Sequence, residues 1–75
     1  MIKIIEVKGN KITTLINGEI TVEFLKIKDR VVEISRSVET GRLSSQDLWI
    51  PPEVYRKLIR QVNAIFKSRE KRSPP

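Results

Sequence analysis

The chain contains no cysteine and no histidine. The first absence excludes disulfides and any thiolate metal site. The second removes the commonest general base and the commonest metal ligand. Glycine is scarce, with three residues, and none of them stands in a Gly-rich phosphate loop. No apolar run approaches the ~18 residues of a membrane helix, and Met1–Val7 is too short for the apolar core of a signal peptide. The expectation is an intracellular protein of the cytoplasm or nucleoid. The nine carboxylates are scattered and mostly interleaved with Lys or Arg, so no convergent acid, base and orienting group can be read. The chain therefore reads as a non-enzyme with no metal and no cofactor. Abundant Ile, Lys, Glu and Arg beside a single Met lean towards a thermophile, an archaeal-like composition.

What is present is charge and β-branched residues. Seventy-five residues make one domain, near the size where a single core is only marginally sufficient, and oligomerisation is one source of extra burial. The net charge is +6, and its placement is uneven. Up to Tyr55 the two signs cancel. Arg56, Lys57, Arg60, Lys67, Arg69, Lys71 and Arg72 then face Glu70 alone. A basic surplus of this kind favours a polyanionic partner such as nucleic acid.

The pattern along the chain predicts strands first and a helix last. Ile2 to Lys8 and Lys11 to Ile16 are strand candidates around Gly9-Asn10, and Asn17-Gly18 is the strongest short hairpin signal. Glu19 to Lys28 is a longer strand. Its apolar role passes from Ile20, Val22 and Phe24 to Leu25 and Ile27, which predicts a bulge or a strongly curved strand near Phe24. Arg30 to Val38 forms a fourth strand, with Val32, Ile34, Arg36 and Val38 on one face. After the polar loop 39–46, Asp47 to Ile50 reads as a short fifth strand whose alternation sends Trp49 away from Leu48 and Ile50. Pro51 and Pro52 end that strand, and Pro at a first helical position costs little. From Glu53 to about Lys67, the residues Val54, Tyr55, Leu58, Ile59, Val62, Ile65 and Phe66 recur at helical spacing. The expected fold is α+β: a curved antiparallel sheet of four to five strands covered by one C-terminal helix, in ββββ(β)α order. Residues 1–67 form that domain, and residues 68–75 read as a disordered basic tail.

A sheet with one covered face leaves the other open. Basic residues there would track phosphates, and an aromatic would stack bases at about 1–3 kcal/mol per stack. Lys26, Lys28, Arg30, Arg36 and Arg42 are the candidate phosphate contacts, and Trp49 is the candidate stacking residue. The competing reading of Trp49 is packing on a neighbouring strand or at a dimer seam.

Residues 21–66 resemble the positive cofactor four family of transcriptional coactivators, small single-stranded DNA-binding proteins. The likeness rests on "KIKDRVVEISR" (26–36), which is similar to that family's basic hairpin, and on "GRLSSQ" (41–46) in the place of its basic loop. It continues in "LWIPPEVYRKL" (48–58), which resembles the short apolar strand and Pro-Glu helix entry, and in "IRQVNAI" (59–65) along the helix. The resemblance implies that Lys28, Arg30, Arg36 and Arg42 contact DNA. It also implies a homodimer through the helix, with Tyr55, Leu58, Ile59, Val62, Ile65 and Phe66 at the seam. Ile27 stands where the family has an aromatic, and Glu39 stands near the place of a base-stacking Trp. The leading expectation is thus a dimeric, sequence-independent single-stranded DNA-binding protein. The alternatives are a small duplex-binding chromatin protein and a non-enzymatic interaction or dimerisation module.

Overall fold

Three tight turns set the sheet. At Asn17-Gly18 both residues have positive φ (54° and 70°), and Glu19 N–H donates to the Ile16 carbonyl at 3.0 Å. That is the type I′ arrangement expected of Asn-Gly, with Glu19 as one additional residue before the next strand. Gly9 (φ 58°) and Lys28 (φ 58°) lead the other two turns. Gly9 adopts the left-handed region without cost, whereas Lys28 carries a Cβ into it.

The computed structural model describes residues 1–38 and 48–71. It shows four antiparallel strands in sequential order: β1 (Ile2–Lys8), β2 (Lys11–Ile16), β3 (Ile20–Ile27) and β4 (Arg30–Val38). One helix follows, α1 (Pro52–Lys71). The α+β expectation holds with four strands. The proposed fifth strand does not form over Leu48–Ile50, which lies outside the sheet. There the Leu48 carbonyl accepts from the Arg36 side chain at 3.0 Å, and no neighbouring strand takes it. The expected loop at 39–46, with Asp47, lies outside the described residues. The helix also runs four residues beyond the expected Lys67. Ser68 to Lys71 contain no helix breaker, and Arg69 Nη1 donates back to the Gly9 carbonyl. Residues 68–71 are therefore helical, and the rest of the expected tail, 72–75, lies outside the described residues.

The pairing register assigns the faces. Ile2, Ile16, Ile20 and Val38 form one row across the sheet, and Ile4, Thr14, Val22 and Arg36 form the next. Val7, Ile12, Phe24 and Glu33 form a third. These rows lie under the helix. Ile12, Val22, Phe24, Leu58 and Val62 are fully buried, with Ile16, Ile20, Ile50 and Phe66 nearly so. Thr14 is the polar residue at the centre, and it satisfies its hydroxyl on the Val22 carbonyl at 2.8 Å. At α1 the first helical hydrogen bond runs from Tyr55 N–H to the Pro51 carbonyl, so Pro52 occupies the turn where its missing donor is harmless.

Two extra residues bend the sheet. Ile4 pairs with Thr14 but Glu6 with Thr13, which leaves Ile5 as the additional residue of β1. Glu23 pairs with Ser35 but Phe24 with Glu33, which leaves Ile34 as the additional residue of β4. The expected bulge is thus at the right level but on the partner strand: β3 alternates regularly, and Leu25 and Ile27 simply occupy its other face. The expected grouping of Val32, Ile34, Arg36 and Val38 is corrected with it. Val31, Glu33, Arg36 and Val38 share the helix side.

Leu58 and Val62 hold the helix to the sheet, each burial contributing roughly 1.5–3 kcal/mol. Leu58→Ala should cost about 2–5 kcal/mol in urea denaturation, from lost transfer energy and the cavity left behind. Ile34→Ala, at a half-exposed unpaired position, should cost less than ~1 kcal/mol.

Candidate nucleic-acid interface

Residues three apart on a regular strand point to opposite faces. The extra residue Ile34 abolishes that rule for Glu33 and Arg36, which lie side by side opposite Phe24 and Val22. Their contact is bidentate: Arg36 Nε and Nη2 donate to the two Glu33 carboxylate oxygens at 2.8 Å each. Tyr55, from the first turns of α1, donates its hydroxyl to Glu33 Oε1 at 2.8 Å, and the Arg36 guanidinium lies 5.6 Å from the centroid of its ring. The Arg36 hydrogen bonds hold the Glu33 carboxyl below its ordinary value against the opposing effect of burial, and Tyr55 assists. Burial, then the Glu33 carboxylate, raises the Tyr55 phenol.

The expected phosphate contacts divide. Lys28 and Arg30 are exposed at the β3–β4 turn. Lys26 lies on the helix side of the sheet, half-buried, with its ammonium 5.9 Å from the Phe66 ring centroid. Arg36 is internal to the network just described, so its assignment as a residue of an open sheet face is corrected by the β4 bulge. Arg42 lies outside the described residues. Trp49 is 67% exposed, but it does not project from a sheet strand. It follows Leu48, whose carbonyl is fixed beside the helix start, and precedes buried Ile50. From the level of Arg30 to that of Arg36 the sheet advances five residues of β3, or about 17 Å.

The residues expected at a dimer seam divide as well. Leu58, Val62 and Phe66 are taken up by the chain's own core, so they offer nothing to a partner helix in this fold. Tyr55, Ile59 and Ile65 remain half-buried.

The open face of the sheet is only mildly basic. It carries Lys3, Lys8, Lys11 and Arg30 with Glu6 and Glu23, among Thr13, Leu15, Thr21, Leu25, Val32, Ser35 and Ser37. Glu23 engages Lys11 at 3.0 Å and accepts from Ser35 at 2.7 Å. Those partners, Ser35 foremost, lower its pKa.

The stronger concentration of cations lies on the helix. Arg56, Arg60 and Lys67 fall within a narrow exposed arc just beyond Ile59 and Asn63, on the outward part of the α1 flank that carries Tyr55. Two shallow depressions line this side. One is bounded by Tyr55, Arg56, Ile59, Arg60 and Asn63, the other by Lys26, Asp29, Val31, Asn63, Phe66 and Lys67. The two adjoin at Asn63, making a furrow of two depressions along α1. Its floor is apolar, its rim is cationic with Asp29 as the acid, and it leads from the β3–β4 turn towards the helix start that Trp49 precedes. Sequence reasoning saw the charge surplus of this segment but did not assign Arg56, Arg60, Asn63 and Lys67 to a site. The signal was there: positions 56, 60, 63 and 67 follow one helix face beside the apolar stripe.

Among the described residues no group of three or more acidic, His or Cys side chains is placed to hold a metal ion. No helix among them is long and apolar enough to cross a membrane. Comparison with protein-family models, with curated proteins and with solved structures gives no match.

Glu33 holds its proton less tightly in the fold than in the unfolded chain. Its contribution is therefore complete above the ordinary carboxyl value of 4.5 and is lost as pH falls through the depressed folded value. Glu33→Gln should lose on the order of 1 kcal/mol at pH 7 and show a shallower fall in stability on acidification below about pH 4.5. Parallel acid profiles for the two proteins would show that the network does not stabilise the fold.

Proposed function

We propose that the chain binds single-stranded nucleic acid, DNA in the first instance, along the furrow between α1 and β4. The observation that carries this reading is a pair of adjoining depressions along α1, each with apolar and cationic lining, beside the helix start that an exposed Trp precedes. Phosphates meet Lys28, Lys67, Arg60 and Arg56, and Trp49 stacks one base. Stacking and phosphate contact are indifferent to base identity, so binding is largely independent of sequence.

Lys28 supports the reading independently. A Lys in the left-handed region costs on the order of 1 kcal/mol that Gly would avoid, and such strain concentrates where a side chain has a task. The open sheet face, where Glu23 engages Lys11, supports a phosphate track less well.

The homodimer implied by the family resemblance is a separate proposal. A second copy docked on Ile59 would close the furrow. A dimer compatible with strand binding uses the other flank of α1, where Val54 and Ile65 stay half-exposed.

The test is binding of an oligo-dT and of a matched duplex across a salt series. Tighter binding of the single strand is expected, and tighter duplex binding would turn the reading towards the exposed helix as a duplex-binding element. The triple variant Arg56→Ala/Arg60→Ala/Lys67→Ala should reduce the slope of log K against log salt by about 2, from ~0.7 per phosphate contact on a single strand. Lys11→Ala, on the open face, should leave the slope unchanged.

A further inference from the structure

Arg36 is expected from the sequence to meet phosphate, yet its guanidinium is already committed inside the protein. Nε and Nη2 grip Glu33, and Nη1 donates to the Leu48 carbonyl at 3.0 Å. Its face rests near the Tyr55 ring. The residue after that held carbonyl is Trp49, and the residue after Trp49 is Ile50, 6% exposed in the core. Pro51 follows with a fixed φ, and its carbonyl receives the first helical hydrogen bond from Tyr55. The backbone is thus held on both sides of an indole that is itself turned to solvent. Left to a flexible segment, so large an apolar ring would fold against the nearest apolar surface. Held outward, it is a stacking surface whose ordering cost is met before a ligand arrives.

We propose that Arg36 is a positioning residue: by holding the Leu48 carbonyl against the Glu33–Tyr55 pair, it presents Trp49 for base stacking, and it does not itself contact phosphate. The proposal rests on the single-strand reading of the furrow. It differs from a charge role in one chemical respect. Lysine keeps the charge of arginine but cannot supply the planar fork and third donor together, so Arg36→Lys should behave as a loss of position.

The experiment compares wild type with Trp49→Ala, Arg36→Lys and the double variant Glu33→Gln/Arg36→Met, which leaves no unpaired carboxylate. Each is titrated over a salt series with oligo-dT and with an abasic oligonucleotide of the same length, which has the phosphates and lacks the bases. Wild type should prefer oligo-dT by roughly ten-fold or more, the worth of one stacked base. Trp49→Ala should abolish the preference. Both Arg36 variants should lose most of it while keeping the wild-type salt slope. A salt slope lowered by about 0.7 in the double variant, with the preference intact, would overturn the proposal and make Arg36 a phosphate contact.

The second measurement needs no ligand. Trp49 is the single Trp, so its fluorescence anisotropy in the free protein reports its own mobility. Anisotropy should fall in both Arg36 variants while circular dichroism confirms the fold, and unchanged anisotropy would overturn the positioning role. A wild type with no preference for oligo-dT over the abasic strand would instead refute the single-strand reading, with the anisotropy still deciding what Arg36 holds.

Discussion

One helix packs on one face of one sheet, and the rest of the molecule depends on the contact of Leu58 and Val62 with that sheet. Among the described residues no second helix or sheet is available to cover that face. Ile12, Val22 and Phe24 lose their water only because α1 lies across them. That requirement fixes the rotation of the helix about its own axis. Once Leu58, Val62 and Phe66 point inward, Arg56, Arg60 and Lys67 must stand on the Tyr55 flank and outward. The basic furrow is therefore a consequence of the core, and its cations are placed by the same period that places the stripe.

The extra residue in β4 has a comparable reach. Without Ile34, Glu33 and Arg36 would face opposite sides of the sheet. With it, they form a bidentate pair on the helix side, where Tyr55 and the Leu48 carbonyl complete the set. This small polar cluster joins β4, the segment before the helix and the first turns of α1. It ties together the elements that border the furrow at the Trp49 end. The opposite end is fixed by different means, the tight turn led by Lys28 and the contact of Lys26 with the Phe66 ring.

The four strands, the Asn-Gly turn and the helix after two prolines were legible because each rests on local chemistry: period-2 alternation, positive φ, and a missing donor at a helix start. The bulge was legible only in part. The change of apolar phase near Phe24 comes from Leu25 and Ile27 on the other face of a regular β3, and only the pairing shows that β4 carries an extra residue at that level. The error then spread, since it put Arg36 on the wrong face and left Glu33 without its partner. Trp49 was correctly set apart from Ile50, though in an irregular segment and not a strand, because alternation and irregular chain leave the same trace over three residues. The wide apolar stripe suggested a partner helix, yet three of its residues are satisfied by the sheet. The cations of the furrow were visible as a surplus, and only the helix rotation shows that they line one side.

The central claim is that the binding surface is the furrow between α1 and β4 rather than the open face of the sheet. Backbone amide and indole shifts of labelled protein, followed by NMR during titration with oligo-dT, test it most directly. The furrow predicts the largest changes at Arg56, Ile59, Asn63, Lys67, Lys28 and the Trp49 indole, with little at Leu15, Thr21 and Ser37. Changes concentrated on those last three residues, with the helix unmoved, would contradict it.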